Sequence, residues 1–279
     1  MKKLLHSLLV IVLIIGAAFG GLYFDEIKSW TVSLFEREQS IDDGDNGGDI
    51  SHSSTFANDD WSIISQVSNA IASGEENIWY KVGDEKGISI DGVTYTLVIL
   101  GFNHDNLSDG TGKAGISIGL KEALATKHSM NTTNSVEGGW AESNMRNTIM
   151  PNIFSQLPSK LQSVIKPVDK VGLVGGIITL NPTPPYTQTT SDKLWLYALP
   201  EVGIVPNTHP YRDEGKTYEY FSKQSIIPDP TFVSGVHEHF WASRTPSAIM
   251  DSWVVILANG NTIGASGDTT LKVLFGFAV

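Results

Sequence analysis

The stretch that most constrains this chain is its closing segment, Phe240 to Val279. Phe240-Trp241-Ala242-Ser243-Arg244-Thr245-Pro246 leads into Ser252-Trp253-Val254-Val255-Ile256-Leu257, then Ala258-Asn259-Gly260-Asn261, and a return through Thr262-Ile263-Gly264. An Asn-Gly between two β-rich runs predicts a hairpin with a two-residue type I′ turn, because both central positions of that turn need positive φ. The last seven residues, Val273-Leu274-Phe275-Gly276-Phe277-Ala278-Val279, are apolar apart from one glycine. Such a strand left in water would aggregate, so it is expected to be buried as a central β element, with the adjoining turns facing outward.

The rest of the chain supplies material for one core plus appendages. It has 279 residues, 41% hydrophobic, with no cysteine, so stability must come from packing and thiol chemistry is excluded. A formal net charge of -11 argues against nucleic acid as a partner. Met1-Lys2-Lys3 precedes an apolar run from Leu8 to Phe24, which Asp25 and Glu26 close. Those flanks place the N-terminus in the cytoplasm and the remainder of the chain outside. The run reads as an uncleaved membrane anchor, with a signal peptide cut near Ala18-Phe19-Gly20 as the alternative.

The chain divides into three regions: 1–26 as anchor or signal, 27–57 as a juxtamembrane segment and flexible acidic Gly/Ser linker, and 58–279 as the globular domain. Asp43, Asp45 and Asp49 loosely echo a calcium loop, but the bidentate Glu and flanking helices are missing, which favours a spacer.

Within the domain, Asn58-Asp59-Asp60 offers a cap for a helix carrying Trp61, Ile64, Val67, Ala70 and Ile71, stopped by Gly74. Gly87 to Ile90 and Thr94 to Leu100 form a hairpin around Asp91-Gly92. Ser143 caps a helix bearing Met145, Ile149 and Ile153, which Pro151 kinks or splits. Pro158 starts another helix, with Leu161, Val164 and Ile165 on one face. Val168 to Leu180 is β-rich, the Pro/Thr-rich piece through Thr190 is a surface loop, and Lys193 to Ala198 is a strand. Pro200 to Pro230 is a long insertion with a short helix.

Several pieces together resemble a domain of unassigned function found in bacterial exported and phage-encoded proteins. They are Gly101 to Asp105, Leu107 to Ile116, Met130-Asn131, Gly138 to Arg146, Leu157-Pro158, Ile165 to Val168, Ser191 to Leu196, Tyr218 to Phe221 and Trp241 to Arg244. The Trp-x-x-Arg opening, hairpin and Gly-Phe strand also resemble the ending of C-type-lectin-like domains, including the formylglycine-generating-enzyme type. That resemblance implies an α+β fold, a mixed sheet with flanking helices and long loops, whose last segment builds the ligand-facing surface. The thiol activity of the formylglycine-generating type cannot operate in a chain without cysteine.

Function is read from what remains. Polar residues on the last loops are the expected ligand contacts: Ser247, Asp251, Asn259, Asn261, Ser266 and Asp268, with Arg244 beside them. Arg146 and Arg244 are equally read as buried partners of a carboxylate, Glu142 being one choice, and Trp140, Trp195, Trp241 and Trp253 as core. Asp213-Glu214 reads as a solvated loop. His237 and His239 share one face of an extended segment and are the metal candidates, needing a third ligand such as His209 or Asp251. Asn103, Asp105 and Asp109 are read as a turn rather than a calcium cage. No serine in the sequence has a persuasive base partner, and no cofactor is implied. The chain therefore reads as a non-catalytic binding domain for a surface protein or glycan. The alternatives are a structural module of an envelope or phage particle, and a metal-dependent hydrolase using His237 and His239.

Overall fold

The computed structural model describes residues 55–77, 79–176, 182–204, 210–222, 241–248, 250–257 and 260–279. The apolar run at 8–24, the acidic linker before residue 55, His209, His237, His239 and Asn259 lie outside them. Among the described residues no helix is long and apolar enough to cross a membrane. Residues from His52 onward form one compact unit. It is a mixed α+β structure with mainly antiparallel sheets and few helices.

Helix α1 (Trp61–Ala72) starts where Asp60 accepts hydrogen bonds from the amides of Ser62 and Ile63, and it buries Trp61, Ile64, Val67, Ala70 and Ile71. Strands β1 (Glu85–Ile90) and β2 (Val93–Phe102) pair in register through Ile90 and Val93. Their two-residue turn has positive φ at both Asp91 (49°) and Gly92 (76°), as a primed turn requires. Strand β3 (Ile116–Leu120) is wholly buried, and β4 (His128–Ser129) is short. After α2 (Gly139–Glu142), a π-helical turn over Met145–Ile149 runs into α3 (Met150–Gln156). Pro151 has no N–H to continue the regular ladder, which explains a widened turn just before it. Ser143 caps this stretch, its hydroxyl accepting from the Arg146 amide.

Helix α4 (Ser159–Gln162) precedes β5 (Val168–Leu173), which pairs along its length with β6 (Thr187–Asp192). The segment expected to be a loop through Thr190 thus contains a strand. Strand β7 is confined to Trp195–Leu196. Two 3-10 turns (Pro200–Val202, Tyr211–Glu214) and helix α5 (Glu219–Ser222) come next, then β8 (Trp241–Pro246), β9 (Trp253–Ile256), β10 (Thr262–Ala265), β11 (Thr270–Leu271) and β12 (Phe275–Ala278).

The main sheet has the order β1-β2-β3-β12-β7, so the last strand sits inside it, between β3 and β7. All of β12 is buried, as its sequence demanded. Gly276 faces Gly119 across the ladder. A Cβ at Gly276 would stand 3.0 Å from the Trp195 ring, and one at Gly119 would stand 1.9 Å from the Tyr197 hydroxyl. Two opposed glycines therefore make room for two aromatic rings. Helix α1 covers this sheet, with Trp61 edge-on to Phe277 at 6.3 Å and the Ser68 hydroxyl accepting from the Ile116 amide. A second sheet, β10-β9-β8, carries the closing hairpin. Its loop differs from the expected two-residue turn. The Leu257 amide bonds the Asn261 carbonyl, so three residues separate the last bonded pair, and Gly260 holds φ at 82°.

Candidate functional site

The structure divides the residues expected to contact a ligand into separate groups. Ser247 is buried and its hydroxyl accepts from the Met250 amide, while its own amide bonds the Ser252 carbonyl; it shapes a turn. Asp251 emerges from that turn, exposed, with Oδ1 accepting from the Val136 amide at 3.3 Å. At the other end of the hairpin's return strand, Ser266 donates to Asp268 within the next turn.

Both turns are tied to the segment 131–136. The Gly267 carbonyl accepts from the Asn131 amide at 2.8 Å, and the Gly267 amide donates to Asn134 Oδ1 at 3.3 Å. The Trp253 indole donates to the Ser135 carbonyl at 3.0 Å. Asn131 braces the loop from within, its Nδ2 on the Ser135 carbonyl and its Oδ1 on the Asn144 amide. The packing at Gly267 is so close that a Cβ would fall 2.6 Å from the Ser135 carbonyl oxygen. Three segments distant in sequence thus form one braced plateau, on which Thr132, Thr133, Asn134, Asp251 and Asp268 are exposed. Asn261 is exposed too, but it lies at the hairpin tip. Strand β10 separates it from Ser266 by roughly 17 Å at the usual rise of an extended chain. The expected contact set is therefore not one site: Asp251, Ser266 and Asp268 converge and Asn261 does not.

Arg244 belongs to neither end. It is fully buried, and its guanidinium donates to the carbonyls of Val171, Leu196 and Glu214 and to the Glu201 carboxylate. Its position as a ligand contact is thereby corrected. The buried-pair expectation holds, with Glu201 as partner rather than Glu142.

Around it lies a charge network that sequence reasoning missed. Lys170 Nζ donates to Asp105 Oδ1 at 2.6 Å, to Glu201 Oε1 at 2.9 Å and to the Tyr218 hydroxyl at 2.8 Å, and it stands 4.0 Å from the Trp195 ring centroid. Asp105 also accepts from Ser117. His104, half-buried, stacks on Tyr218 with ring centroids 4.0 Å apart. Burial opposes ionisation of Glu201, but Arg244 and Lys170 beside it overcome this and hold its carboxyl at about 2. Glu214, expected on a solvated loop, is buried; burial pushes its carboxyl up to about 7 in spite of nearby Arg244. Its Oε1 accepts from the Leu173 amide at 3.1 Å, and Oε2 has no hydrogen-bond partner among the described residues. Arg244 and Lys170 pair with Glu201 and Asp105, leaving Glu214 as the third acid. Apart from that Glu214 oxygen the buried network is hydrogen-bonded, and satisfied networks rigidify a core.

A smaller cluster fixes the first Trp–Arg motif. Asp192 accepts from the Trp140 indole at 2.8 Å, from Thr190 at 2.6 Å and from Arg146 Nε at 2.6 Å. Trp140, Trp195, Trp241 and Trp253 are all buried, as expected.

Among the described residues no group of three His, Asp or Glu could hold a metal ion. The 103–109 stretch is a turn: Asp109 accepts from the Thr111 amide and hydroxyl, while Asp105 points into the network.

What the geometry defines is a rigid α+β domain with a polar plateau built on its closing hairpin. Residues 118–273, more than half of the chain, match the family described as a domain of unknown function, DUF6273, and the chain belongs to that family. No curated protein and no solved structure matches it.

Proposed function

We propose that this chain is a non-catalytic, extracytoplasmic binding module, its closing region C-type-lectin-like, displayed on a cell or virion surface and held to a membrane through residues 8–24. The carrying observation is the plateau, in which the two turns flanking the hairpin are braced against segment 131–136 by hydrogen bonds that Asn131, Trp253 and Gly267 donate and Asp251 accepts. Pre-organised loops on a rigid scaffold reduce the ordering cost of binding. Hydroxyls of Thr132 and Thr133, the amide of Asn134 and the carboxylates of Asp251 and Asp268 offer donors and acceptors side by side, which suits a glycan or an extended peptide.

Glycan and peptide arrays probed with the full chain test the proposal. Binding to one class is expected, abolished by Thr132→Glu with the melting temperature unchanged. Silence on every array, or binding that Thr132→Glu leaves intact, would sink it.

One feature favours the assembly reading. Strand β10 is a sheet edge, and Ile263 (43%) and Met250 (55%) are large apolar side chains exposed on or beside it. Open edges pair with other chains. Sedimentation that shows a regular oligomer, dissolved by Ile263→Lys, together with silent arrays, would support assembly in place of ligand binding.

A further inference from the structure

A depression of about 350 Å³ opens between α3 and the end of β6, sharing no residue with the plateau. Its apolar wall is Met150, Phe154 and Leu194, and its rim carries Arg146 and Lys193. We propose that this is a second binding site, for a carboxylate carried on an aromatic or apolar group.

The charge balance gives the sign of the ligand. Asp192, the acid in the wall, is already committed to Trp140, Thr190 and Arg146. Arg146 spends Nε on Asp192, both Nη1 hydrogens on the Ala141 carbonyl and Asn147 Oδ1, and one Nη2 hydrogen on the Ser191 carbonyl. One Nη2 hydrogen is left over. Lys193 has no ion pair or hydrogen bond among the described residues; its ammonium lies 4.8 Å from the centroid of the Phe154 ring. The pocket is therefore net positive on a chain whose formal charge is -11. An anion finds two donors there, where most of the surface repels it.

The wall gives the ligand's body. Phe154 is half-buried and open to the depression, while Met150 and Leu194 back it. A volume at the small end of the range for ligand pockets admits one ring or a branched side chain, not a long polymer. A carboxylate between Lys193 and Arg146 leaves its attached group against Phe154.

The test is a titration of the full ¹⁵N-labelled chain with phenylacetate, acetate and phenethylamine, monitored by amide resonances. Phenylacetate is expected to move Phe154, Ser191 and Lys193 and to saturate in the millimolar range, as suits so small a ligand. Phenethylamine, the same body with the opposite charge, and acetate, the charge without the body, are expected to bind roughly tenfold or more weakly. Lys193→Gln, at an exposed position, is expected to weaken phenylacetate roughly fivefold, the upper end for an exposed charge pair. Gly-Gly-Phe and its amide separate the two sources of such a group: tighter binding of the free peptide than of phenylacetate identifies a chain end, and weaker binding a free acid. Equal affinity for phenethylamine, an unchanged affinity in Lys193→Gln, or motionless Phe154, Ser191 and Lys193 resonances would overturn the proposal.

Discussion

Glu214 makes the sharpest prediction, because its carboxyl is buried beside a network that is already balanced. Gln at this position keeps an oxygen for the Leu173 amide, now 3.1 Å from Oε1, and removes the titration. In the native chain burial raises this acid from an ordinary value of 4.5 to about 7. Between those two values the folded state keeps a proton that the unfolded chain has released. The stabilisation is therefore complete below about pH 4.5 and is lost as pH rises through 7. The gap corresponds to ~3 kcal/mol. Glu201 runs the other way: held at about 2, it stabilises above its unfolded value of 4.5, and that contribution is lost as pH falls towards 2. His104 and His128, both lowered chiefly by burial, are present in both proteins, so their contributions cancel in the difference. Urea unfolding of wild type and Glu214→Gln at steps between about pH 4.5 and pH 8 measures this directly. The wild-type free energy should fall relative to the variant by ~3 kcal/mol across the range. Parallel curves would refute the assignment of a raised carboxyl at this position.

The other predictions concern the braces. Arg244→Met takes one of its two cations from the buried Glu201 carboxylate and the guanidinium donors from the carbonyls of Val171, Leu196 and Glu214, and should cost ~3–5 kcal/mol in chemical denaturation. Gly267→Ala drives a Cβ against the Ser135 and Thr133 carbonyls at 2.6 and 2.7 Å, and should cost ~1–3 kcal/mol while shifting amide resonances of 131–136. An unshifted spectrum would mean that the plateau is not braced there. Asp60→Ala removes the acceptor for the Ser62 and Ile63 amides and should cost ~1 kcal/mol, with increased hydrogen exchange in the first turn of α1.

What the sequence made legible is what apolar spacing and turn chemistry can encode. Helix α1, the β1–β2 hairpin around Asp91-Gly92 and the burial of Phe275 to Ala278 were all readable, because each obeys a local rule. Strand β6 was not. Its inward residues are Thr190 and Asp192, so no apolar alternation marks it, and its purpose is to present Asp192 to Trp140 and Arg146. The charge network was hidden for the same reason on a larger scale. Asp105, Lys170, Glu201, Glu214 and Arg244 come from five separate segments, and in all but the Arg244 motif a charged residue is best explained locally as solvated. Only the closed fold brings the opposite charges to hydrogen-bond distance. Losing one partner leaves buried charge less compensated, so the network penalises any arrangement in which β5, β8 and residues Glu201, Glu214 and Tyr218 fail to meet. That couples the Trp-x-x-Arg motif at Trp241 to the position of the hairpin above it: Arg244 sets β8, β8 sets β9, and β9 carries Trp253 to the loop that forms the plateau. A residue expected among the ligand contacts thus shapes the plateau indirectly, by fixing the strand that leads to it.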